Sequence, residues 1–146
     1  MTQPYPHTYQ ATARGEPTGL VTIASPRLAS LSTAPPAEFG GPGDRWSPET
    51  LLVASVANCF VLTFRAVARA AGFHWVALEC RVEGVSERID SVAQFSRFVT
   101  FAELTVPSGT DEATARRLLE RAEHGCLIAN SLRGARHLEA TVRAAP

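Results

Sequence analysis

The chain has 146 residues, the length of one domain with a core of its own, and we expect a single domain over residues 1–146. Lys plus Arg and Asp plus Glu both number 14, so the formal net charge is zero and no excess of charge points to nucleic acid or to an anionic membrane. Hydrophobic residues make up 45% of the chain and charged residues 19%, as in a folded globular protein.

The first residues of the chain, 1–6, contain neither a basic segment nor an apolar one, so they do not resemble a signal peptide. The longest apolar stretch, residues 51–64, is shorter than the roughly 20 residues that a membrane-spanning helix needs. We therefore expect a cytoplasmic protein without a membrane segment. In that reducing compartment, two thiols can cycle between reduced and oxidised forms.

Three short segments rich in Thr, Val, Ile and Leu open the chain, at residues 8–14, 18–24 and 28–33. Gly and Pro residues separate them, which favours an antiparallel three-stranded meander. The next segment, residues 34–46, holds too much Pro and Gly for a regular element. We expect a long loop there, and loops of this length inside compact domains are often functional.

A long helix is predicted to begin after Ser47, which supplies an N-cap. Pro48 suits the first helical position, and Glu49 meets the positive end of the helix dipole. The helix can continue to Ala71, with Gly72 as its C-cap. Its first two-thirds is apolar on nearly every face, which is typical of a helix buried on all sides. One layer of sheet cannot cover such a helix, so we expect a second copy of the chain to complete its burial in a two-fold homodimer.

The second half of the chain mixes predicted strands and helices. They are strands at residues 76–83 and 95–106, a surface helix at 111–123, a short helix from Cys126 and a last strand at 138–142. The resulting order, βββ-α-ββ-αα-β, predicts an α+β fold with strands in both halves around the long buried central helix.

The three cysteines have different settings. Cys80 shares a strand face with apolar residues and is expected to behave as a small buried hydrophobe. Cys59 lies inside the apolar helix, where a packing role and a reactive role fit the pattern equally well. Cys126 follows Gly125 at the start of a helix, where free N–H groups and the dipole favour a thiolate. The residues alone therefore indicate Cys126 as the better prepared thiolate and Cys59 as the thiol that needs an external partner.

Two cysteines on separate helices suggest redox chemistry more than a structural staple. The spacings of the Cys and His residues fit no zinc pattern, so we expect neither a metal site nor a cofactor.

Two motifs resemble those of the OsmC/Ohr family of osmotically inducible and organic-hydroperoxide-resistance proteins. The first is Ser-Pro-Glu-x-Leu-Leu-x-Ala-x-x-Ala-x-Cys-Phe, from Ser47 to Phe60, and the second is Ala-Glu-x-x-Cys-Leu-Ile-x-Asn-Ser-Leu, from Ala122 to Leu132. The resemblance spans most of the chain. It implies an OsmC-like fold with antiparallel strands, assembled as an intertwined homodimer.

The resemblance also implies a cysteine-based peroxidase that reduces organic hydroperoxides. In that mechanism Cys59 attacks the peroxide oxygen, Cys126 resolves the sulfenic acid into a disulfide, and a thiol reductant such as a dihydrolipoyl group restores both thiols. Glu49 matches the family's helix-start glutamate, which in relatives orients an active-site arginine. Glu49 lies ten positions before Cys59, about 15 Å at roughly 1.5 Å per residue, so it acts through an arginine or from a second subunit. A carboxylate that only complements the helix dipole is the other interpretation of Glu49.

The chain departs from the hydroperoxide-resistance branch at two points. That branch carries an arginine in its first hairpin, in the pattern Gly-Arg-x-Gly, and this chain has Pro17 at the corresponding place. Arg14, Arg27 and Arg45 are the candidates to replace it. Cys126 is followed by Leu rather than by the Pro common in that branch. The alternative function is therefore a redox-inactive OsmC-like module that binds an apolar small molecule or a partner.

Overall fold

A computed structural model describes residues 3–146 of the chain. The chain forms two compact units, of which one ends at Leu51 and the other is Leu52–Pro146. The predicted order of strands and helices, βββ-α-ββ-αα-β, is observed, with one added turn of 3-10 helix in the first unit. The expected α+β fold is confirmed, whereas the single domain over residues 1–146 stays a prediction.

The first unit contains a small antiparallel sheet. Its strands are β1 (Thr12–Arg14), β2 (Val21–Ala24) and β3 (Leu31–Thr33), paired in the order β1-β2-β3. The meander predicted from the sequence is therefore present, with shorter strands. The loop that follows contains the 3-10 turn, Ala37–Phe39, which ends at Gly40 in the left-handed conformation with a φ of 84°.

The long helix α1, Pro48–Ala70, begins with a reciprocal cap. The amide of Thr50 donates to Ser47 Oγ at 3.1 Å, and the amide of Ser47 donates to Thr50 Oγ1 at 2.8 Å. Two N–H groups at the start of the helix thus gain partners. Just past the other end lies Gly72, in the left-handed conformation with a φ of 63°. Both ends of α1 lie within one residue of the prediction.

The second unit is built on a three-stranded sheet in the order β4-β5-β6. Strands β4 (Ala77–Ile89) and β5 (Val92–Val106) form a hairpin. A tight turn joins them, in which Asp90 and Ser91 have positive φ values of 50° and 66°. The last strand, β6 (Ala135–Ala144), runs parallel to β5. A parallel partner needs a crossover connection, and the helices between β5 and β6 provide it.

Those two helices are α2 (Glu112–Gly125) and α3 (Leu127–Asn130). The main core of the second unit lies between α1, β5 and α2. Its fully buried members are Phe60, Phe64, Ala68, Ala102, Leu104, Val106, Ala115, Leu118, Leu119 and Ala122.

One face of α1 is buried, along residues spaced four apart: Val56, Phe60, Phe64 and Ala68. By length and composition α1 is apolar enough to cross a membrane, and one stripe of it is buried in the core. Only 22% of its most apolar window is buried, and Leu62 is 50% exposed. One chain thus leaves much of this helix without cover, and the homodimer expected from the sequence stays a prediction.

Candidate active site

The two cysteines singled out by the sequence lie together in the second unit. Val56, Cys126 and Ala129 form a small buried cluster, separate from the main core. Cys59 packs against this cluster from α1, along with Val82, Ile128 and Leu132. All three cysteines of the chain are free thiols. The fold therefore brings residues 67 positions apart in sequence into one pair.

Cys59 is half-buried and has several hydrogen-bond partners. Burial raises the pKa of its thiol, but hydrogen bonds from the Ile128 amide, the Cys126 thiol, the Thr63 hydroxyl and the Leu127 amide together lower that pKa below its ordinary value. The Thr63 Oγ1 atom lies 3.8 Å from the Cys59 sulfur. Each of these stabilising contacts is a hydrogen bond to the ionised sulfur. These hydrogen bonds therefore favour the thiolate form of Cys59.

Cys126 has the opposite character. Its exposed fraction is 0%, and burial raises the pKa of its thiol to about 11, against a hydrogen bond from the Ala129 amide. The neighbouring Cys59 and the charge of Glu123 raise it further. The interpretation of Cys126 as the better prepared thiolate is wrong. The helix that follows it, α3, has only four residues, so its dipole does little to offset the cost of burying a charge.

Cys80 belongs to the main core. It is half-buried on β4 and packs against the core cluster, as the alternation of its strand predicted. Burial raises the pKa of its thiol to about 12, and the charges of Cys126 and Glu123 act in the same direction. Cys80 therefore stays protonated at neutral pH, and it lies in the main core, apart from the cluster of Cys59 and Cys126.

Glu49 lies in the first turn of α1, ten positions before Cys59 on the same helix, which is too far for a contact. Its Oε1 atom is shielded from solvent and has no hydrogen-bond partner among the described residues. A buried carboxylate oxygen without a donor is uncommon in a folded protein. The three candidate arginines, Arg14, Arg27 and Arg45, are exposed. The catalytic role of Glu49 stays a prediction.

Sequence reasoning missed the residues that prepare Cys59. Thr63 lies four positions after Cys59, so both side chains occupy one helix face, and this spacing was a usable signal. The amides of Leu127 and Ile128 come from another helix, and no local pattern connects them with Cys59. His124 binds the Glu120 carbonyl oxygen at 2.8 Å through its Nδ1 atom, so its ring is engaged at the end of α2.

A groove of about 280 Å³ lies beside the thiol cluster. Its walls are mostly apolar: Leu52, Val92, Gln94, Phe95, Phe98, Leu132 and Arg133. Leu132 also packs against the cluster that contains Cys126, so the groove and the thiols share a wall. Among residues 3–146, no three His, Cys, Asp or Glu side chains come together as metal ligands. The site thus consists of two thiols and an apolar groove.

The family model for OsmC-like proteins matches residues 41–141, which include both cysteines of the pair. The chain belongs to the OsmC family. An uncharacterized Bacillus subtilis protein, YmaD, is 28% identical over 127 residues, which are 84% of each chain.

Solved OsmC-family structures share the fold. An OsmC-like protein of unknown function from Vibrio cholerae has a TM-score of 0.83 at 14% identity, over 93% of this chain and 100% of its own. The organic hydroperoxide resistance protein OsmC of Legionella pneumophila has a TM-score of 0.75 at 25% identity, over 95% of this chain and 98% of its own. The OsmC-like fold predicted from the two motifs is therefore confirmed.

Proposed function

We propose that this chain is a thiol-dependent peroxidase that reduces organic hydroperoxides through Cys59 and Cys126. Membership of the OsmC family suggests a redox role related to peroxides. Similar structures from Legionella pneumophila and Elizabethkingia anophelis are organic hydroperoxide resistance proteins. The observation that carries the proposal is the contact between a half-exposed thiol that favours ionisation and a buried thiol that resists it.

The first step of the proposed reaction uses Cys59. Its thiolate attacks the terminal peroxide oxygen, so that an S–O bond forms and the O–O bond breaks. The alcohol leaves with a proton taken from solvent, and Cys59 becomes a sulfenic acid. At an ordinary pKa of about 8.5, only a few per cent of a thiol is ionised at about pH 7. The hydrogen bonds to Cys59 therefore raise the concentration of the reactive form.

The second step uses Cys126. Its sulfur attacks the Cys59 sulfur, the S–S bond forms, and the S–O bond breaks as water leaves with the Cys126 proton. With an exposed fraction of 0%, Cys126 does not meet a peroxide directly, but it already lies against Cys59. A dithiol of the dihydrolipoyl type supplies two electrons and two protons to restore both thiols.

A homodimer in the cytoplasm belongs to the same proposal. A second subunit is supported by the apolar residues of α1 that one chain leaves uncovered, and by the Oε1 atom of Glu49, which has no partner within residues 3–146. A partner chain would bring an arginine or another donor to that carboxylate oxygen. Glu49 would then act either through an arginine or on the thiol pair of the other subunit.

Cysteine variants test the proposal. Cys59→Ser should abolish turnover of cumene hydroperoxide and tert-butyl hydroperoxide with dithiothreitol or dihydrolipoamide. Cys126→Ser should react once and stall as a sulfenic acid, which dimedone traps and mass spectrometry places on Cys59. Cys80→Ser is the matched control, since it removes a thiol outside the pair, and its first turnover should be intact.

The alternative function is a redox-inactive module, and the groove beside the thiols is the observation that favours it. Wild-type protein that consumes no hydroperoxide with either dithiol, and whose Cys59 alkylates no faster than a free thiol, would favour this alternative over the peroxidase. Binding of an apolar ligand to the groove would then be the activity to measure.

A further inference from the structure

Arg136 binds both ends of the segment that carries Cys126. It lies near the start of β6, and its Nε atom donates to Glu123 Oε1 at 2.8 Å. Its Nη1 atom donates to Asn130 Oδ1 at 2.7 Å, and its Nη2 atom donates to the Glu123 carbonyl oxygen. The Arg136 and Glu123 side chains are 27% and 14% exposed, so this is not a solvated surface pair. The planar guanidinium of Arg136 donates to three acceptors at once, so it fixes the positions of those acceptors more strictly than the ammonium group of a lysine would.

Asn130 closes the same segment from within. Its Nδ2 atom donates to the His124 carbonyl oxygen at 3.0 Å, and its backbone amide donates to the Cys126 carbonyl oxygen at 2.9 Å. Residues 123–130 therefore form one closed turn that contains Cys126. Arg136 binds this turn at both ends, Glu123 and Asn130, through these three hydrogen bonds.

The turn also supplies what Cys59 needs. The amides of Leu127 and Ile128, which lie inside it, donate to the Cys59 sulfur, and Ile128 packs beside Cys59 in the thiol cluster. Cys59 itself belongs to α1, so the tertiary fold is what brings these amides to its sulfur. A small displacement of the turn would lengthen both hydrogen bonds and separate the two sulfurs.

We propose that Arg136 is a positioning residue for the thiol pair, which holds the Leu127 and Ile128 amides and the Cys126 sulfur against Cys59 by fixing both ends of the turn. The role deepens the proposed peroxidase function, since it serves both the attack by Cys59 and the closure of the disulfide. Arg136 also forms an ion pair with Glu123, whose charge disfavours ionisation of Cys126.

Charged and titratable groups around the turn are few. Glu123 comes from α2, and Cys80 comes from β4, where its thiol stays protonated. His124 is bound to a carbonyl oxygen of α2. A change in Cys59 ionisation after substitution of Arg136 therefore reports on the position of the turn.

Arg136→Gln tests the role in the full-length chain. The pKa of Cys59 is measured from the rate of its alkylation by iodoacetamide over a pH series, with mass spectrometry to identify the modified cysteine. We expect the pKa to rise by about half a unit to one unit, which lowers the thiolate fraction at about pH 7 roughly three- to tenfold. Oxidation by diamide, which takes two electrons and two protons from the thiols, should form the Cys59–Cys126 disulfide more slowly by a similar factor.

Two further variants define the cause. Arg136→Lys keeps the charge and loses the planar fork, so its Cys59 pKa should lie between those of wild type and Arg136→Gln. Arg143→Gln is the matched control, because Arg143 lies on the same strand in an exposed ion pair with Glu103. It should leave both measurements at the wild-type values.

A purely structural role would lower the melting temperature and leave the Cys59 pKa unchanged. Arg136→Gln that is folded by near-ultraviolet circular dichroism, yet alkylates and oxidises like wild type, would overturn the proposal. If Arg136→Gln does not fold, Asn130→Ala removes one end of the same connection and is judged by the same two measurements. Neither measurement uses a hydroperoxide, so a failure of the peroxidase function is distinguishable from a failure of this role.

Discussion

The contact between Thr63 and Cys59 allows the thiolate argument to be tested by one isosteric substitution. Thr63→Val keeps the shape of the side chain and removes the hydroxyl that lies 3.8 Å from the Cys59 sulfur. A hydrogen bond to a charged group contributes about 1.5–3 kcal/mol. We take about 1 kcal/mol here, because the contact is long, Cys59 is half-exposed to screening solvent, and other donors remain. That energy corresponds to about 0.7 pKa unit and to a roughly fivefold smaller thiolate fraction.

The sign of this change follows from which form the hydroxyl stabilises. The Thr63 hydroxyl donates to the ionised sulfur and so contributes to the lowered pKa of Cys59. Thr63→Val should therefore shift the curve of Cys59 alkylation rate against pH towards higher pH. The two curves should converge at alkaline pH, where the thiol is ionised in both proteins. Hydroperoxide turnover, where it is limited by the first step, should fall by the same factor.

Thr63→Ser is the matched control, since it keeps the hydroxyl and removes only a methyl group. Its curve should coincide with that of the wild type. If Thr63→Val, Thr63→Ser and wild-type protein all give one curve, the hydroxyl contributes nothing to the thiolate. The lowered pKa of Cys59 would then depend on its other hydrogen-bond donors alone, and the proposed contribution of the Thr63 hydroxyl would be incorrect.

Three further properties can be measured. Gly84→Ala should lower the free energy of unfolding, measured in urea, by about 1–3 kcal/mol. A Cβ at this position would lie 2.8 Å from Val53 Cγ1 and 2.9 Å from Phe95 Cε1, which is too close. An unchanged urea midpoint would contradict this prediction. Burial raises the pKa of Cys80, so the protonated thiol stabilises the folded state below pH 9.0, and this contribution is lost as the pH rises towards about 12. The free energy of unfolding of Cys80→Ala should therefore fall less steeply over that alkaline range. Sedimentation at micromolar concentration should show a dimer, and a monomer would remove the second subunit from our proposal.

The ends of α1 were predictable because their determinants are local. The reciprocal hydrogen bonds of Ser47 and Thr50 and the left-handed Gly72 depend on residues adjacent in sequence. The turn of the long hairpin was not predictable in the same way. Its central residues, Asp90 and Ser91, adopt positive φ without the Gly that usually signals such a turn. The strand ends beside it are largely exposed, so no apolar alternation extends the strands towards the turn.

The parallel pairing of β5 with β6 illustrates a second limit. Residues such as Thr100 and Leu138, which face each other across the two strands, are separated by two helices in sequence. Periodicity identifies each strand, but it carries no information about which neighbour a strand pairs with or in which direction. The position of Arg136 beside the α2–α3 turn depends on that pairing, so no local sequence pattern indicates the role that we propose for it.

The rule that free amides at the start of a helix stabilise a thiolate holds for the thiol pair, but the sequence alone assigned it to the wrong sulfur. The sequence indicated that free amides at the start of a helix after Cys126 would stabilise a thiolate. Those amides, of Leu127 and Ile128, do stabilise one, but the sulfur they bind is that of Cys59 on another helix. Cys126 itself is enclosed, and burial determines its pKa.

This division suits a two-cysteine peroxidase for a chemical reason. The attacking sulfur must be ionised and reachable, and Cys59 is half-exposed with its charge stabilised by hydrogen bonds. The resolving sulfur must stay unreactive towards the peroxide until a sulfenic acid has formed beside it, and a buried, protonated Cys126 meets that condition. Two thiolates in contact would repel each other and raise both pKa values. One ionised and one protonated thiol avoid that cost, and the protonated thiol donates a hydrogen bond to its neighbour.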